Sequence, residues 1–204
     1  MMKNILRNLL VALTVVTSAA WADATEDLGK LLQPLSSLSG NFKQTLIDER
    51  GKVSQKSNGN FSVQRPGKLR WKTGEPYAQL LVTNNKTLWL YDPDLEQVTI
   101  RPVDERMKET PALLLGGKVE DIRESFDVTL KEGVYQLAPK NPKAPFKSME
   151  IRFAKDGLPS SMKVRDSMGQ TTEIVFNSMK ANPKLSESLF NFKPPAGTDI
   201  IKDE

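Results

Sequence analysis

From Asn41 onward the sequence is a succession of short strand-like segments, each closed by residues that turn the backbone. That rhythm restricts the chain to a sandwich, a barrel or a strongly curved sheet. Phe42 to Ile47 runs into Asp48-Glu49-Arg50-Gly51, and Asn60 to Gln64 into Arg65-Pro66-Gly67-Lys68, where Pro followed by Gly suits a type II turn. Leu69 to Lys72 and Ala78 to Thr83 come next. The second of these reaches Asn84-Asn85, whose side chains tolerate the positive φ of a tight hairpin. Thr87 to Tyr91 meets Asp92-Pro93-Asp94, and Gln97 to Arg101 returns. Strands resume at Phe126 to Lys131, Val134 to Ala138, Ser148 to Phe153, Ser161 to Asp166 and Thr171 to Phe176, with Asp156-Gly157 and Met168-Gly169 as turns.

Helical signals are few and local. Leu28, Leu31, Leu32, Leu35 and Leu38 recur at the three- and four-residue steps of one helical face. Asp23 or Thr25 can cap the start, and Glu26 and Asp27 fall in the first turn. Pro34 lies inside this pattern and should kink or split the helix near Gln33. Between the two groups of strands, Thr110-Pro111-Ala112-Leu113-Leu114-Leu115-Gly116-Gly117 carries a capping Thr, Pro at the first helical position and Gly just past the end. Val119 to Ser125 reads as another short helix. Leu185 to Phe192 closes the fold as a helical or irregular segment before Pro194-Pro195. With no internal repeat or linker, residues 23–204 are expected to form one mixed but mainly β domain.

Residues 1–22 carry the pattern of a cleaved export signal. Lys3 and Arg7 precede an apolar stretch from Leu9 to Val16, and Ala20-Trp21-Ala22 sets small residues at −3 and −1 for cleavage before Asp23. The stretch is shorter than the ~20 residues of a membrane span. Cleavage removes Lys3 and Arg7 and no acid, so the formal net charge of +4 falls to +2. The mildly basic, mixed-sign remainder has no Arg/Lys block, which argues against a nucleic-acid partner. The chain has no Cys, which fits a disulfide-free protein exported to a bacterial periplasm and removes any thioether lipid anchor.

Catalysis finds little support. With no His and no Cys, Ser-His-Asp and Cys-His chemistry and His metal ligation are excluded. Asp92 and Asp94 flank Pro93 as turn residues, without the rest of a calcium loop. Ser36-Ser37 and Ser160-Ser161 read as loop residues, and no glycine-rich phosphate loop is present. No metal or cofactor is expected, and the reading is a binding protein rather than an enzyme; a hydrolase using carboxylates, Lys or Tyr is the rival of a different class. The apolar residues say more. Leu69 and Trp71 alternate onto one strand face, and Leu80 with Val82 onto a face of the next. Trp89 and Tyr91 lie opposite Leu88 and Leu90. An ordinary core accounts for each of these singly. The segment Leu113-Leu114-Leu115, however, is apolar nearly all round and must be buried. Over the mouth of a curved sheet it would be a lid. Arg65, with five donors in a rigid fork, could latch the free carbonyls where that helix ends at Gly116-Gly117; a solvated turn residue fits the same spacing.

Taken in order, Phe42-x-Gln44, Arg65-Pro66-Gly67-Lys68-Leu69-Arg70-Trp71, Leu88-Trp89-x-Tyr91-Asp92-Pro93-Asp94-x-x-Gln97, Thr110-Pro111 and the terminal Phe-x-Phe-x-Pro-Pro at 190–195 resemble the periplasmic outer-membrane lipoprotein carrier family, LolA. The resemblance implies an unclosed antiparallel barrel with helices as a lid over an apolar cavity. It implies a monomeric carrier that takes the acyl chains of lipoproteins from an inner-membrane ABC transporter to an outer-membrane receptor. It implies that Arg65 bonds main-chain carbonyls of the first and lid helices, around Leu32, Leu115 and Gly116. Leu69, Trp71, Leu80, Val82 and Trp89 become the expected lining for the acyl chains. Family members commonly carry an aromatic residue two before the Trp, where this chain has Leu69. The membrane-anchored receptor of the same pathway needs a lipidated Cys that is absent here. A lipid- or lipoprotein-sensing regulatory protein of the same fold is the alternative.

Overall fold

A computed structural model describes residues 19–103, 115–117 and 119–202. Helix α1 (Ala19–Leu32) leads into six strands: β1 (Ser37–Ile47), β2 (Val53–Gln64), β3 (Lys68–Thr73), β4 (Gln79–Asn84), β5 (Thr87–Asp92) and β6 (Gln97–Pro102). After α2 (Val119–Ser125) come β7 (Phe126–Lys131), β8 (Val134–Pro139), β9 (Phe146–Phe153), β10 (Pro159–Asp166) and β11 (Thr171–Ala181). A 3-10 helix (Glu187–Phe190) and β12 (Asp199–Lys202) are the last described elements. No helix among the described residues is long and apolar enough to cross a membrane.

The twelve strands of the described residues form one sheet in the order β12-β6-β5-β4-β3-β2-β1-β11-β10-β9-β8-β7. Every pairing is antiparallel except β12 beside β6. The ends do not meet, since the order begins at β12 and finishes at β7, so the sheet is an unclosed barrel. Register assigns each side chain to a face, because residues directly opposite one another share it. The inner face can be followed across the middle of the sheet. Phe176 lies opposite Phe42 and Phe42 opposite Gly59; Gly40 lies opposite Phe61, Phe61 opposite Trp71, Trp71 opposite Leu81 and Leu81 opposite Leu90. The aromatic and leucine side chains among them belong to or pack against one apolar cluster with Leu28 and Leu32 of α1, Ile122 of α2 and Leu115.

Helix α1 is shorter at its C-terminal end than the leucine spacing suggested. It stops at Leu32, two residues before Pro34, and Leu38 belongs to β1. Proline cannot donate into the helical ladder, and the residue before it is pushed toward extended backbone. At the other end α1 starts at Ala19, upstream of the expected caps at Asp23 and Thr25. Strand β1 likewise begins at Ser37, ahead of Phe42. The two Asn residues of the β4–β5 hairpin behave as their chemistry suggests, with Asn85 at φ 73° and the Asn84 side chain accepting from Thr87 N–H at 2.9 Å.

Gly59 is fixed by close approach. A Cβ there would collide with the Lys72 main-chain oxygen and come within 2.6 Å of the Phe42 ring. Gly59→Ala should therefore spread the β2–β3 pair and cost about 1–3 kcal/mol. Thermal denaturation should show this as a melting temperature lower by roughly 2–12 °C, together with altered Trp71 fluorescence. An unchanged melting temperature would mean that the β2–β3 pair yields freely.

Candidate functional site

The turn between β2 and β3 holds three separate parts of the chain together. Gln64 and Lys68 are paired, so the turn is the three residues Arg65-Pro66-Gly67; the Arg65–Pro66 bond is cis and Gly67 has φ 73°. Arg65 N–H donates to Ser36 O at 2.9 Å, and Gly67 N–H to Gly116 O at 2.8 Å. The Arg65 guanidinium reaches further. Its Nη1 donates to Leu32 O at 2.7 Å and its Nε to Leu115 O at 3.0 Å. Leu32 O also accepts from Leu35 N–H at 3.1 Å, closing the last turn of α1. The turn thus clamps the end of α1 to the segment 115–117. Of the two carbonyls expected beyond Leu32, Leu115 O meets the guanidinium, whereas Gly116 O is taken by a main-chain N–H. Leu113 and Leu114 lie outside the described residues, and Leu115 is fully buried.

The clamp is electrostatically incomplete. Burial lowers the Arg65 pKa from its ordinary value, because desolvation disfavours the charged form. Its Nη2 is buried with no hydrogen-bond partner among the described residues. Two charge-assisted bonds to carbonyls are favourable, but the desolvated charge and the orphan donor subtract from them. Such a contact is made and broken at modest cost. Nearby, Asn182 at φ 53° ties the α1–β1 loop to the end of β11. Its Oδ1 accepts from Ser36 N–H at 2.8 Å, and its Nδ2 donates to Pro34 O at 3.0 Å. Sequence reasoning missed this residue; Asn just past a strand, able to take left-handed backbone, was the available signal.

The inner face carries an aromatic group at its centre. Phe42 stacks on Trp71 at 4.1 Å between centroids, Phe61 lies 5.4 Å from both Trp71 and Phe176, and Phe176 meets Trp71 edge-on at 6.4 Å. Leu69 is buried beside them, while Trp71, Leu81 and Leu90 are only partly buried and leave apolar surface accessible on this side. Of the expected lining residues, Leu69 and Trp71 are therefore on the inner face.

Leu80, Val82 and Trp89 are not. Leu80 lies opposite Lys72 and Tyr91, while Val82 lies opposite Arg70 and Trp89, so all three face outward. The error came from the Leu80-Leu81-Val82 run, which is apolar on both faces and gives no sign of which faces in. What covers them is the C-terminal segment. The 3-10 helix packs on β3 and β4 with Phe190 fully buried, and Phe192 meets Tyr91 at 5.3 Å. Lys68 Nζ holds Glu187 Oε1 and Oε2 at 2.7 and 2.6 Å, and that hydrogen bond keeps the Glu187 carboxyl below its usual range.

An open β-barrel with an apolar inner face, and a guanidinium in the β2–β3 turn that ties the end of α1 to the segment 115–117, defines the class. The family of the outer membrane lipoprotein carrier protein LolA matches residues 33–193, and the chain belongs to that family. It is 39% identical to an outer-membrane lipoprotein carrier protein of Alcanivorax borkumensis, with all of both chains covered. It is 42% identical to one of Azotobacter vinelandii, over 96% of this chain and 97% of the relative. Among solved structures it resembles a LolA superfamily protein of Nitrosomonas europaea, with a TM-score of 0.51 at 11% identity, covering 85% of this chain and 98% of that one. An uncharacterized conserved protein of Thermus thermophilus gives 0.53 at 13% identity, with 89% and 99% covered. At such identities these two likenesses concern the fold alone.

Proposed function

We propose that this protein is a periplasmic carrier that shields the acyl chains of lipoproteins released from the inner membrane and delivers them to an outer-membrane receptor. An export signal cleaved after Ala22 would bring it to that compartment. The observation that carries the reading is the apolar inner face, centred on Phe42, Phe61, Trp71 and Phe176 and closed off by the Arg65 clamp. Each acyl methylene taken from water is worth about 0.8 kcal/mol, so bare chains need such a shelter to cross an aqueous space. Relatives at about 40% identity that bear the carrier name over their whole length support the same role. An inner-membrane ABC transporter would load it and supply the energy input, in keeping with a sequence that carries no nucleotide-binding motif. The role requires no cofactor and no catalysis.

Native mass spectrometry of the purified protein mixed with a detergent-solubilised triacylated lipoprotein tests this. A one-to-one complex that survives detergent removal, and that non-acylated cargo does not form, is expected. No complex from folded protein would overturn the carrier role and favour a sensor of the same fold.

A further inference from the structure

One buried polar group on the inner face has no partner among the described residues. Ser57 is only 7% exposed, yet its Oγ makes no hydrogen bond. A buried hydroxyl normally finds a partner, so an unsatisfied one needs an explanation. Ser57 lies opposite Gln44 on β1, and Gln44 lies opposite Ile174 on β11. One step along the same face is the pair Phe42 and Gly59, the edge of the aromatic group. The nearby inner-face positions Ile174, Gln44, Ser57, Phe42, Gly59 and Phe176 include no cationic side chain.

We infer that Ser57, with Gln44 beside it, is the subsite for the ester carbonyl of an acyl chain, an inference that rests on the carrier reading. The ligand chemistry follows from the setting. A mostly apolar ligand that enters this face brings few acceptors, and the carbonyl of a fatty ester is the one nearest its chain. The absence of a cation selects a neutral carbonyl over the carboxylate of a free fatty acid, whose desolvation would go uncompensated. Ser57 Oγ–H donates to the carbonyl oxygen, and the Gln44 amide is within the same pair of residues to donate a second bond. Position gives the arrangement a direction. From Ser57 to Gln64 strand β2 runs about 23 Å at 3.3 Å per residue. A long acyl chain anchored at its carbonyl therefore crosses the aromatic group and ends near the Arg65 clamp.

The test compares a lipopeptide bearing two ester-linked palmitoyl chains on S-glyceryl cysteine with its dialkyl-ether analogue, titrated calorimetrically. Wild-type protein should bind the ester about two- to tenfold more tightly, the range of one ordinary hydrogen bond. Ser57→Ala should lose that preference while binding the ether as wild type does, which also certifies its fold. Ser57→Thr, which keeps the hydroxyl, should retain it. Equal affinities in the wild type, or a preference surviving in Ser57→Ala, would overturn the subsite and leave the carrier role intact. Failure of folded protein to bind either lipopeptide would overturn both.

Discussion

Arg65→Leu should load acylated cargo at least as well as the wild type and release it more than tenfold more slowly. The variant loses the Nη1 bond to Leu32 O and the Nε bond to Leu115 O while leaving the sheet beneath untouched. Each charge-assisted bond contributes about 1.5–3 kcal/mol. Leucine needs no desolvation of a charge and strands no Nη2, which returns part of that loss. A net loss of about 2–3 kcal/mol in the closed state follows. On the proposed carrier role, cargo and clamp would compete, because chains entering the inner face would draw Leu32 O and Leu115 O away from Arg65. By linkage, whatever closure no longer gains, cargo binding no longer has to offset, so affinity rises by about 30- to 150-fold. Dissociation of a fluorescent lipopeptide from loaded protein into excess phospholipid vesicles measures the effect. A dissociation rate equal to that of the wild type would remove Arg65 from any role in release. Arg65→Lys should fall between the two, since one ammonium cannot reproduce the two-armed geometry.

The clamp was legible in the sequence as a possibility and the inner face only in part, for physical reasons that differ. An Arg next to Pro-Gly, followed at a distance by an apolar stretch that reads as a helix ending in Gly-Gly, suggests a rigid five-donor group and a set of unpaired carbonyls in one chain. Nothing in the local sequence brings them together. The contact depends on β2 and β3 delivering the turn to the end of α1, and the family resemblance supplied that expectation. Strand existence was read from turn chemistry, and Phe126–Lys131 and Val119–Ser125 stand where periodicity put them. Face assignment failed at Leu80, Val82 and Trp89, because register is a long-range property and a strand apolar on both sides does not declare its orientation. A better cue was the Gly59-Asn60-Phe61-Ser62-Val63 alternation. It separates Phe61 and Val63 from polar neighbours, and the structure puts both in the main core. The second apolar layer was invisible for the same reason, since it needs a C-terminal segment that crosses the outer face before β12 joins β6 in parallel.

That crossing carries the largest stability effect expected. Phe190 is fully buried, whereas the rest of the 3-10 helix is exposed or partly so, and it covers a face on which Leu80, Val82 and Val98 are also buried, apart from the main core cluster. Phe190→Ala should cost about 3–5 kcal/mol from lost burial and the cavity left behind. For a chain of this size that lowers the melting temperature by roughly 6–20 °C. The polar contacts of the segment cannot substitute. The Lys68–Glu187 pair is solvent-facing and screened, and Arg70 Nη1 reaches Leu189 O only at 3.5 Å. Because the outer layer and the aromatic group lie on opposite faces of the same strands, the variant below its melting temperature should bind acyl chains with wild-type affinity. That separation distinguishes a strap that holds the outer face from one that shapes the ligand site. A large loss of cargo affinity at a temperature where circular dichroism shows the sheet intact would mean that the two faces are coupled through β3 and β4. A melting temperature within 2 °C of the wild type would mean that the segment docks without depending on Phe190.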